Sequence, residues 1–438
     1  MIKNDFNSTF RVHAKNSLSP LQRERDFVTA VYDHICKALG DNCIQIGSYP
    51  RFTSTTPLHD LDVLYILGDM SSFLENPSEI LTRLQATLKD YFLKNTNYKV
   101  IISLQTHSVT VSFVDGTGKE DFGIDVVPAF VNGVNEFGLD MYVVPEIIKI
   151  KRSKRHSYYS EKKAENKAVQ WVKSDPRGYI KIASNINEKN GDYRKTVKFI
   201  KKWKHNLAHK NEQVKLKSFH IEQIVVGIFQ KNPDASMFDA VFEFFTKLPQ
   251  HIEKPQIPDR ANADVFIDAY LADLTDEQRA LILQARDHFL IGLEEFTPSK
   301  SVHELLSADF YKRFSSTEAY LFDSYIPVLT EPQHTFKING WVRKKPGFRH
   351  GWLSQIPWKL EYLRYIDFSV SQDNTQAHLY KWKVKNHNSS PQPRGEITDH
   401  RTSQSPESTR YSGAHYVECF AVKNNVCIAR HRINVPIA

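Results

Sequence analysis

The chain has 438 residues, of which 41% are hydrophobic and 12% aromatic; this supplies buried cores and excludes a wholly disordered protein. The length exceeds one ordinary domain, so two or three compact units are expected. The formal net charge is +8 and the isoelectric point is about 9.0, which favours an anionic partner such as phosphate or nucleic acid without requiring one.

Cysteine usage and apolar patterning bear on where the protein works. Four cysteines, at positions 36, 43, 419 and 427, are too few and too scattered for a disulfide scaffold, and none forms a Cys-x-x-Cys pair. A zinc site is therefore not expected, whereas buried thiols in a reducing compartment are. The N-terminus lacks the apolar core of a signal peptide, and no stretch is apolar over a bilayer-spanning length. We expect a cytoplasmic protein without a membrane partner.

The first 150 residues are predicted to form an α/β unit. Ser19-Pro20 marks a helix start, and an amphipathic run follows it over 21–39. The β-like runs CIQIGS, LDVLYIL, KVIISL, VTVSFV and FGIDVV come next, with one helical segment at 77–95 among them. In VTVSFV the alternation of apolar and polar residues is typical of a half-buried strand.

The periodicity then changes twice along the chain. Residues 151–330 show helical spacing of apolar residues, which predicts an α-rich second lobe. After residue 330 the β-like runs return, and residues 387–409, rich in Ser, Pro, Gln and Arg, predict a long mobile loop. The predicted fold class is α/β (α+β), with domains at 1–150, 151–330 and 331–438.

A Gly-Ser pair followed by an Asp-x-Asp motif is the strongest local signal. Gly47-Ser48 follows a β-like run, eleven residues separate Ser48 from Asp60, and Asp60 and Asp62 open a hydrophobic strand. Residues two apart on a strand point to the same face, so the two carboxylates should converge while their neighbours enter the core. Alone, Asp-x-Asp is also typical of strand-end residues facing water; the upstream pair and hydrophobic flanks favour a site.

Asp125 supplies a third carboxylate from within the apolar run FGIDVV. A buried aspartate without a partner charge is costly, so a cation is expected beside it. Three carboxylates on adjacent strands match the two-metal arrangement for phosphoryl transfer, and hard oxygen ligands suit Mg²⁺. We predict two Mg²⁺ ions, replaceable by Mn²⁺, held by Asp60, Asp62 and Asp125, with Gly47 and Ser48 approaching the nucleotide phosphates.

These motifs resemble the polymerase-β-type nucleotidyltransferase fold, and more specifically the bacterial cGAS/DncV-like nucleotidyltransferases (CD-NTases), relatives of oligoadenylate synthase. The resemblance continues through YVVPE (142–146), WVKSDPRGY (171–179), FIKKWK (199–204) and LKSFHIEQIV (216–225), in the family's order. It covers roughly residues 20–310 and implies a polymerase-β-type core joined to a helical second lobe.

The resemblance also implies a donor-nucleotide site in that lobe. Lys201 would contact the triphosphate, Ser218 would bond a phosphate oxygen, and Phe219 would stack on the base. The chemistry agrees, because a lysine point charge suits a triphosphate and an aromatic face is a general base platform. From the residues alone, Lys201 would equally belong to a solvated lysine-rich helix and Phe219 to the core, and Lys202 lies one position away.

Two further polar residues, His220 and Glu222, follow on the same helix. We predict that they pack and cap, in preference to lining the acceptor pocket. A two-metal transfer needs no histidine, and Asp125 is the predicted general base for the attacking hydroxyl.

The C-terminal unit resembles the AGS-C sensor domain fused to some CD-NTases. Its signature positions are Trp382, Asn386, Arg394, Gly395, Thr409, Tyr411, Gly413, His415 and Glu418. Trp382, Arg394, Tyr411 and His415 are candidates for binding a phosphate or a base. Turn chemistry and sandwich packing explain the same residues equally well.

The resulting functional hypothesis is a template-independent nucleotidyltransferase that makes cyclic di- or trinucleotides in anti-phage signalling of the CBASS type. Its expected partners are nucleoside triphosphates, ATP among them, and a downstream effector that responds to the product. RNA or a phage-derived ligand would activate it through the basic surface or the sensor domain. Alternatives are a polymerase-β-type enzyme that modifies RNA or protein, and a catalytically silent regulator that binds nucleotide or RNA.

Overall fold

A computed structural model describes residues 2–69, 77–105, 107–145, 171–297, 299–357, 359–400 and 404–438. A mixed sheet forms the N-terminal region, helices fill the middle of the chain, and two antiparallel sheets form the C-terminal end. This arrangement confirms the predicted fold class. The glutamate that ends the YVVPE motif and the predicted boundary at 150/151 lie outside the described residues.

The N-terminal sheet has seven strands within the described residues. They are β1 (Cys43–Ile46), β2 (Asp60–Asp69), β3 (Val100–Leu104), β4 (Val109–Val114), β5 (Glu120–Val134), β6 (Asp140–Pro145) and β7 (Trp171–Ser174). The order is β1-β2-β5-β4-β3, with β6 paired to β5 and β7 to β6. The β2–β5 pair is parallel, which places the starts of the two aspartate-bearing strands side by side.

Two amphipathic helices, α2 (Gln22–Ala38) and α3 (Pro77–Asn95), pack on this sheet. Their buried residues recur every three or four positions, as in Val28, Val31 and Ile35, which matches one face of a helix. The strands contribute Leu61 and Val63 to the same core. The predicted helices, the predicted strands and the inward orientation of the residues beside the aspartates are therefore confirmed.

Glu24, in the first turn of α2, ties that helix to the loop before the aspartates. Its carboxylate accepts the Leu21 backbone N–H at 2.6 Å. It also accepts the Thr56 hydroxyl at 3.0 Å and the Leu58 backbone N–H at 3.1 Å. A charged acceptor satisfies the free amides of the helix start, and one side chain thus positions both helix and loop.

The helical lobe has its own hydrophobic core. Its helices are α1 (Ile2–His13), α4 (Pro176–Lys189), α5 (Asp192–Lys210), α6 (Ser218–Lys231), α7 (Met237–His251), α8 (Asp276–Glu294) and α9 (Val302–Leu305). Short π or 3₁₀ turns lie at Ala14–Leu18, Ala269–Asp273, Leu321–Ser324 and Leu353–Gln355. Trp203 is buried, its ring 4.8 Å from that of Phe245. Phe6 and Phe10 of α1 pack in this core too, so the N-terminal helix joins the helical lobe.

The C-terminal region is a sandwich of two four-stranded sheets. Its strands are β8 (Lys337–Val342), β9 (Gly351–Trp352), β10 (Tyr365–Ser371), β11 (Leu379–Lys385), β12 (Arg394–His400), β13 (Gln404–Ser408), β14 (Gly413–Lys423) and β15 (Val426–Ile437). One sheet runs β13-β10-β8-β9 and the other β12-β11-β14-β15. Residues from both sheets, including Phe368 and Trp382, form the core between them.

The prediction of a long loop over 387–409 is wrong. β12 and β13 both lie within it, β12 paired with β11 and β13 with β10. Each is the outermost strand of its sheet. An edge strand buries less of its surface than a central strand, and it accepts polar and charged residues that blur the alternating pattern.

The domain boundaries 1–150, 151–330 and 331–438 stay a prediction. Packing adds one qualification, since residues 2–18 share the core of the helical lobe. In the part of the chain that the structure describes, no helix combines the length and the apolar character needed to cross a bilayer.

Candidate active site

The three predicted aspartates come from neighbouring strands. Asp60 and Asp62 lie on β2, where Leu61 and Val63 between and beyond them are 1% and 0% exposed. Asp62 stands directly opposite Asp125 in the parallel register of β2 and β5. The structure thus brings the carboxylates to one place on the sheet, as the strand geometry requires.

Asp125 is held in place from the neighbouring strand β4 and the turn before it. One carboxylate oxygen, Oδ1, accepts a short hydrogen bond from the Thr110 hydroxyl. The Ser108 hydroxyl donates to the same oxygen at 3.3 Å. These donors fix the orientation of the carboxylate and leave its other oxygen, Oδ2, out of both contacts.

The carboxylate cluster favours a bound cation. Burial raises the pKa of Asp62 to about 7, and repulsion from Asp60 and Asp125 adds to the rise, against the opposing effect of Arg51 and Lys201. A divalent cation would relieve this repulsion, and an all-oxygen donor set suits Mg²⁺. Within the described residues no three His, Cys, Asp or Glu side chains already form a metal cluster. The fit of these aspartates to Mg²⁺ therefore rests on the chemistry of their oxygen donors and on the electrostatic repulsion among them.

Gly47 brings the backbone against one of these carboxylates. Its φ is +74°, and a Cβ built there would lie 1.8 Å from Asp62 Oδ2. Only glycine accommodates both the left-handed backbone and this approach. The turn that follows closes on itself, because the Thr53 N–H donates to the Ser48 carbonyl at 3.0 Å.

A buried cluster of charges joins this turn to the helical lobe. Arg51 Nε donates to Glu222 Oε1 at 2.6 Å, and Lys201 Nζ donates to Glu222 Oε2 at 3.0 Å. The Thr53 hydroxyl donates to Glu222 Oε2 at 2.9 Å, and its carbonyl accepts Lys201 Nζ at 3.2 Å. One carboxylate on α6 therefore holds a cation from the turn and a cation from α5.

Burial and pairing set the charge states of this cluster. Burial alone would raise the pKa of Glu222, but the charges and hydrogen bonds of Arg51 and Lys201 outweigh it and lower that pKa to about 2. Burial lowers the pKa of Lys201, and Glu222 opposes that change. Because a carboxylate between two cations strongly favours the anion, Glu222 is ionised throughout the neutral range.

Ser218 and Phe219 open helix α6 beside the cluster. The half-buried Phe219 ring meets Tyr179 edge-on, with centroids 5.0 Å apart, and the Arg51 guanidinium carbon lies 5.2 Å from its centroid. Lys204 Nζ donates to the Ser218 hydroxyl at 3.5 Å. These contacts hold the aromatic ring and a hydroxyl at the same helix start.

One cavity of about 520 Å³ brings most of the predicted residues together. Its lining includes Gly47, Ser48, Asp60, Asp62, Lys201, Ser218 and Phe219. Asp125 is not part of the lining and reaches the site through its register with Asp62. Lys201, rather than Lys202, faces the cavity, and it is 4% exposed, so the solvated-helix interpretation does not hold for it.

Several residues of this site were not predicted from the sequence. Arg51 and Tyr179 line the same cavity, and neither was a candidate. Glu222 was expected to pack or cap, but it is the anion of the buried cluster. His220 is buried and its Nδ1 lies 2.9 Å from the Tyr270 hydroxyl, as a packing role requires. The only local signal for Arg51 was its place shortly after Gly47-Ser48.

The four sensor-domain candidates separate into two groups. Arg394, Tyr411 and His415 line one cavity of about 260 Å³. Trp382 is fully buried in the sandwich core and is not brought to that cavity. For Trp382 the packing interpretation is the one that the structure bears out.

Comparison with known proteins gives one domain match and one curated relative. Residues 315–438 match the family model of the Adenylyl/Guanylyl and SMODS C-terminal sensor domain. A curated relative, the probable cyclic nucleotide synthase IK1_05630 of Bacillus cereus (strain VD146), is 23% identical over 212 residues, 44% of this chain. The match spans 56% of that relative's length.

Two solved structures of Escherichia coli proteins also resemble this chain in fold. Escherichia coli MS115-1 CdnC with ATP is 18% identical at a TM-score of 0.49, covering 68% of this chain and 94% of that one. Escherichia coli DncV in its 3′-deoxy GTP-bound form is 15% identical at 0.42, covering 60% and 66%. The domain match and the curated relative confirm the resemblance to CD-NTases that carry an AGS-C domain.

Proposed function

We propose that this protein is a template-independent nucleotidyltransferase that joins nucleoside triphosphates into a cyclic di- or trinucleotide and releases pyrophosphate. The observation that carries the proposal is the pairing of Asp62 with Asp125 beside a cavity that also holds a glycine-serine turn, a buried lysine and an aromatic ring. The relative named as a probable cyclic nucleotide synthase supports the cyclic product.

The aspartates would hold the metal. Asp60, Asp62 and Asp125 would ligate two Mg²⁺ ions, or Mn²⁺ in their place. When bound, such ions neutralise charge on the phosphoryl oxygens and make the attacking hydroxyl more acidic. Asp125 Oδ2, which Thr110 and Ser108 leave free of their contacts, accepts the proton of that hydroxyl.

The remaining residues bind and orient the donor nucleotide. The backbone at Gly47 allows phosphate oxygens to approach closely, and the Ser48 and Ser218 hydroxyls donate hydrogen bonds to them. Lys201 gives the cavity a fixed positive charge that Glu222 positions. The Phe219 ring stacks on the base of the nucleotide. Such stacking does not select one base over another, because every base has a flat face.

The biological setting follows from the same resemblance. The product would act in anti-phage signalling of the CBASS type in the cytoplasm, where a downstream effector responds to it. An activating RNA or phage-derived ligand would reach the basic surface or the C-terminal domain. The match of residues 315–438 to a sensor domain supports regulated synthesis.

The test is to incubate the purified full chain with labelled nucleoside triphosphates and Mg²⁺, with no other substrate. A phosphatase-resistant product that requires Asp60 and Asp62 supports the proposal. Label transferred to added RNA or to protein would instead indicate a modifying enzyme. Nucleotide binding without any product, under all activating conditions tried, would indicate a silent regulator.

A further inference from the structure

A second cavity lies in the C-terminal sandwich, separate from the catalytic one. It has a volume of about 260 Å³ and is lined by residues of both sheets. Its apolar lining includes Phe368 of β10, Val384 of β11 and Val435 of β15. This volume is about half that of the catalytic cavity, 520 Å³, and lies below the range of about 300–1,000 Å³ usual for drug-sized ligands. It suits one small ring system.

His415, which lines this cavity, has a buried ring nitrogen without a hydrogen-bond partner among the described residues. The residue is 5% exposed. Its Nδ1 lies 3.0 Å from Asn386 Oδ1 and 3.3 Å from the His387 backbone nitrogen. Its other ring nitrogen, Nε2, has no hydrogen-bond partner among the described residues. A buried polar atom left unpaired is costly, so a ligand that pairs with it gains that energy on binding.

Arg394 is not free to bind an anionic ligand. Its Nε donates to Glu396 at 2.8 Å and its Nη1 donates to Glu407 at 2.9 Å. Two carboxylates therefore neutralise the guanidinium and lock its plane. A phosphate placed here would meet Glu407, which also lines the cavity. The local charge therefore favours an uncharged group.

Aromatic and amide side chains complete the lining. Tyr411 offers a ring face and a hydroxyl, and Gln392 offers an amide. The Asn386 amide already contacts His415 Nδ1 and donates to the Gln392 carbonyl, so it holds the imidazole in place. A flat heterocycle with donors and acceptors on its edges is recognised by this combination, through stacking and through hydrogen bonds to amides. Apolar walls, an unpaired imidazole nitrogen and neutral polar edges all describe the same class of ligand.

We propose that this cavity binds the base of a single nucleoside or mononucleotide. The base enters between the sheets and pairs with His415 Nε2, and the sugar stays near the exposed Arg410. This site is independent of the proposed catalytic activity, since it shares no lining residue with the catalytic cavity.

The cavity is also connected to the segment that leads from the helical lobe. The Ala319 N–H donates to the Gly395 carbonyl at 3.0 Å, and the Ser315 hydroxyl donates to the Arg394 carbonyl at 3.3 Å. A Cβ at Gly395 would lie 3.3 Å from the Glu318 Cα, so the turn presses closely on that segment. The lining residue Arg394 and its neighbour Gly395 are therefore in direct contact with the segment that connects the helical lobe to the C-terminal sandwich.

The test is calorimetric titration of the full chain with adenosine, guanosine, cytidine, uridine and their 5′-monophosphates. Phe219→Ala serves as the background, because it removes the base platform of the catalytic cavity. His415→Asn keeps an amide near the position of Nδ1 but removes Nε2, whereas His415→Gln reaches towards the position of Nε2. Circular dichroism checks that each variant is folded.

We expect at least one nucleoside to bind saturably in the Phe219→Ala background. His415→Asn should lower the affinity for that nucleoside about tenfold or more, because the loss of one buried hydrogen bond lowers affinity by about that factor. His415→Gln should lower the affinity by clearly less. Tyr411→Ala, at the half-buried side of the cavity, should also weaken it. Absence of binding by all eight probes, equal affinity in both His415 variants, or equally tight binding of inorganic phosphate would each overturn the proposal.

Discussion

Replacing Glu222 with Gln removes the carboxylate charge that pairs with both Arg51 and Lys201 and keeps the size of the side chain. Arg51 and Lys201 are 6% and 4% exposed, so the change leaves two cations that water cannot easily solvate. Removing one partner of a buried ion pair typically costs about 3–5 kcal/mol. The lowered pKa of Glu222 gives a consistent figure: a fall from 4.5 to about 2 corresponds to about 3 kcal/mol.

The stability that Glu222 contributes to the folded protein depends on pH in a definite direction. Because the folded-state pKa of Glu222 lies below its unfolded value, its stabilisation is fully present above about pH 4.5 and is lost as pH falls towards 2. We therefore expect chemical denaturation at pH 7 to show Glu222→Gln less stable by about 3 kcal/mol. The difference from the natural protein should narrow as the pH is lowered through that window.

A double-mutant cycle with Lys201→Met sharpens this test. That change removes one of the two cations, so the double variant should lose less stability than the sum of the single variants. Any nucleotide-dependent activity should fall in Glu222→Gln, because Lys201 loses its anchor. A loss of stability below about 0.5 kcal/mol at pH 7, the usual range of surface substitutions, or strict additivity in the cycle would show that Glu222 does not stabilise the two buried cations.

Three further predictions concern the cavity. Gly47→Ala should abolish product formation while circular dichroism stays near that of the natural protein, because its Cβ would collide with the Asp62 carboxylate; full activity would contradict the close approach. Phe219→Ala should raise the KM for nucleoside triphosphate about tenfold to a hundredfold, because the loss of base stacking costs about 1–3 kcal/mol. Phe219→Tyr should keep the KM near that of the natural protein, and a KM of Phe219→Ala equal to that of the natural protein would argue against stacking. The raised pKa of Asp62, about 7, predicts that protons compete with Mg²⁺; titrations should show weaker Mg²⁺ binding at pH 6 than at pH 8, and a pH-independent affinity would contradict this.

Local patterns were sufficient for the strands and helices of the N-terminal core. The alternation in VTVSFV and the aspartates two apart on β2 follow from strand geometry, and the register with Asp125 needed only that two strands be neighbours. The helix over 77–95 was also predicted with the observed bounds. The strands and the helix depend on residues close in sequence, which a periodicity can reveal.

The parts that sequence reasoning missed depend on distant contacts. Arg51 and Glu222 are 171 residues apart, and nothing near either residue announces the other. Phe6 and Phe10 join the helical lobe only because that lobe offers an apolar face to α1. The strands β12 and β13 lacked a clear alternation because they lie at sheet edges. In each case tertiary packing, not local preference, determines the structure.

We propose that this protein synthesises a cyclic nucleotide with metal ions held at Asp60, Asp62 and Asp125. Mass spectrometry of the products formed from mixed nucleoside triphosphates tests it most directly, comparing the natural protein with Asp62→Asn and with a Mg²⁺-free reaction. We expect a product whose mass equals that of two or three nucleoside monophosphates joined in a ring, and we expect it to be absent from both controls. A linear or macromolecule-linked product, or a cyclic product that persists in Asp62→Asn, would contradict it.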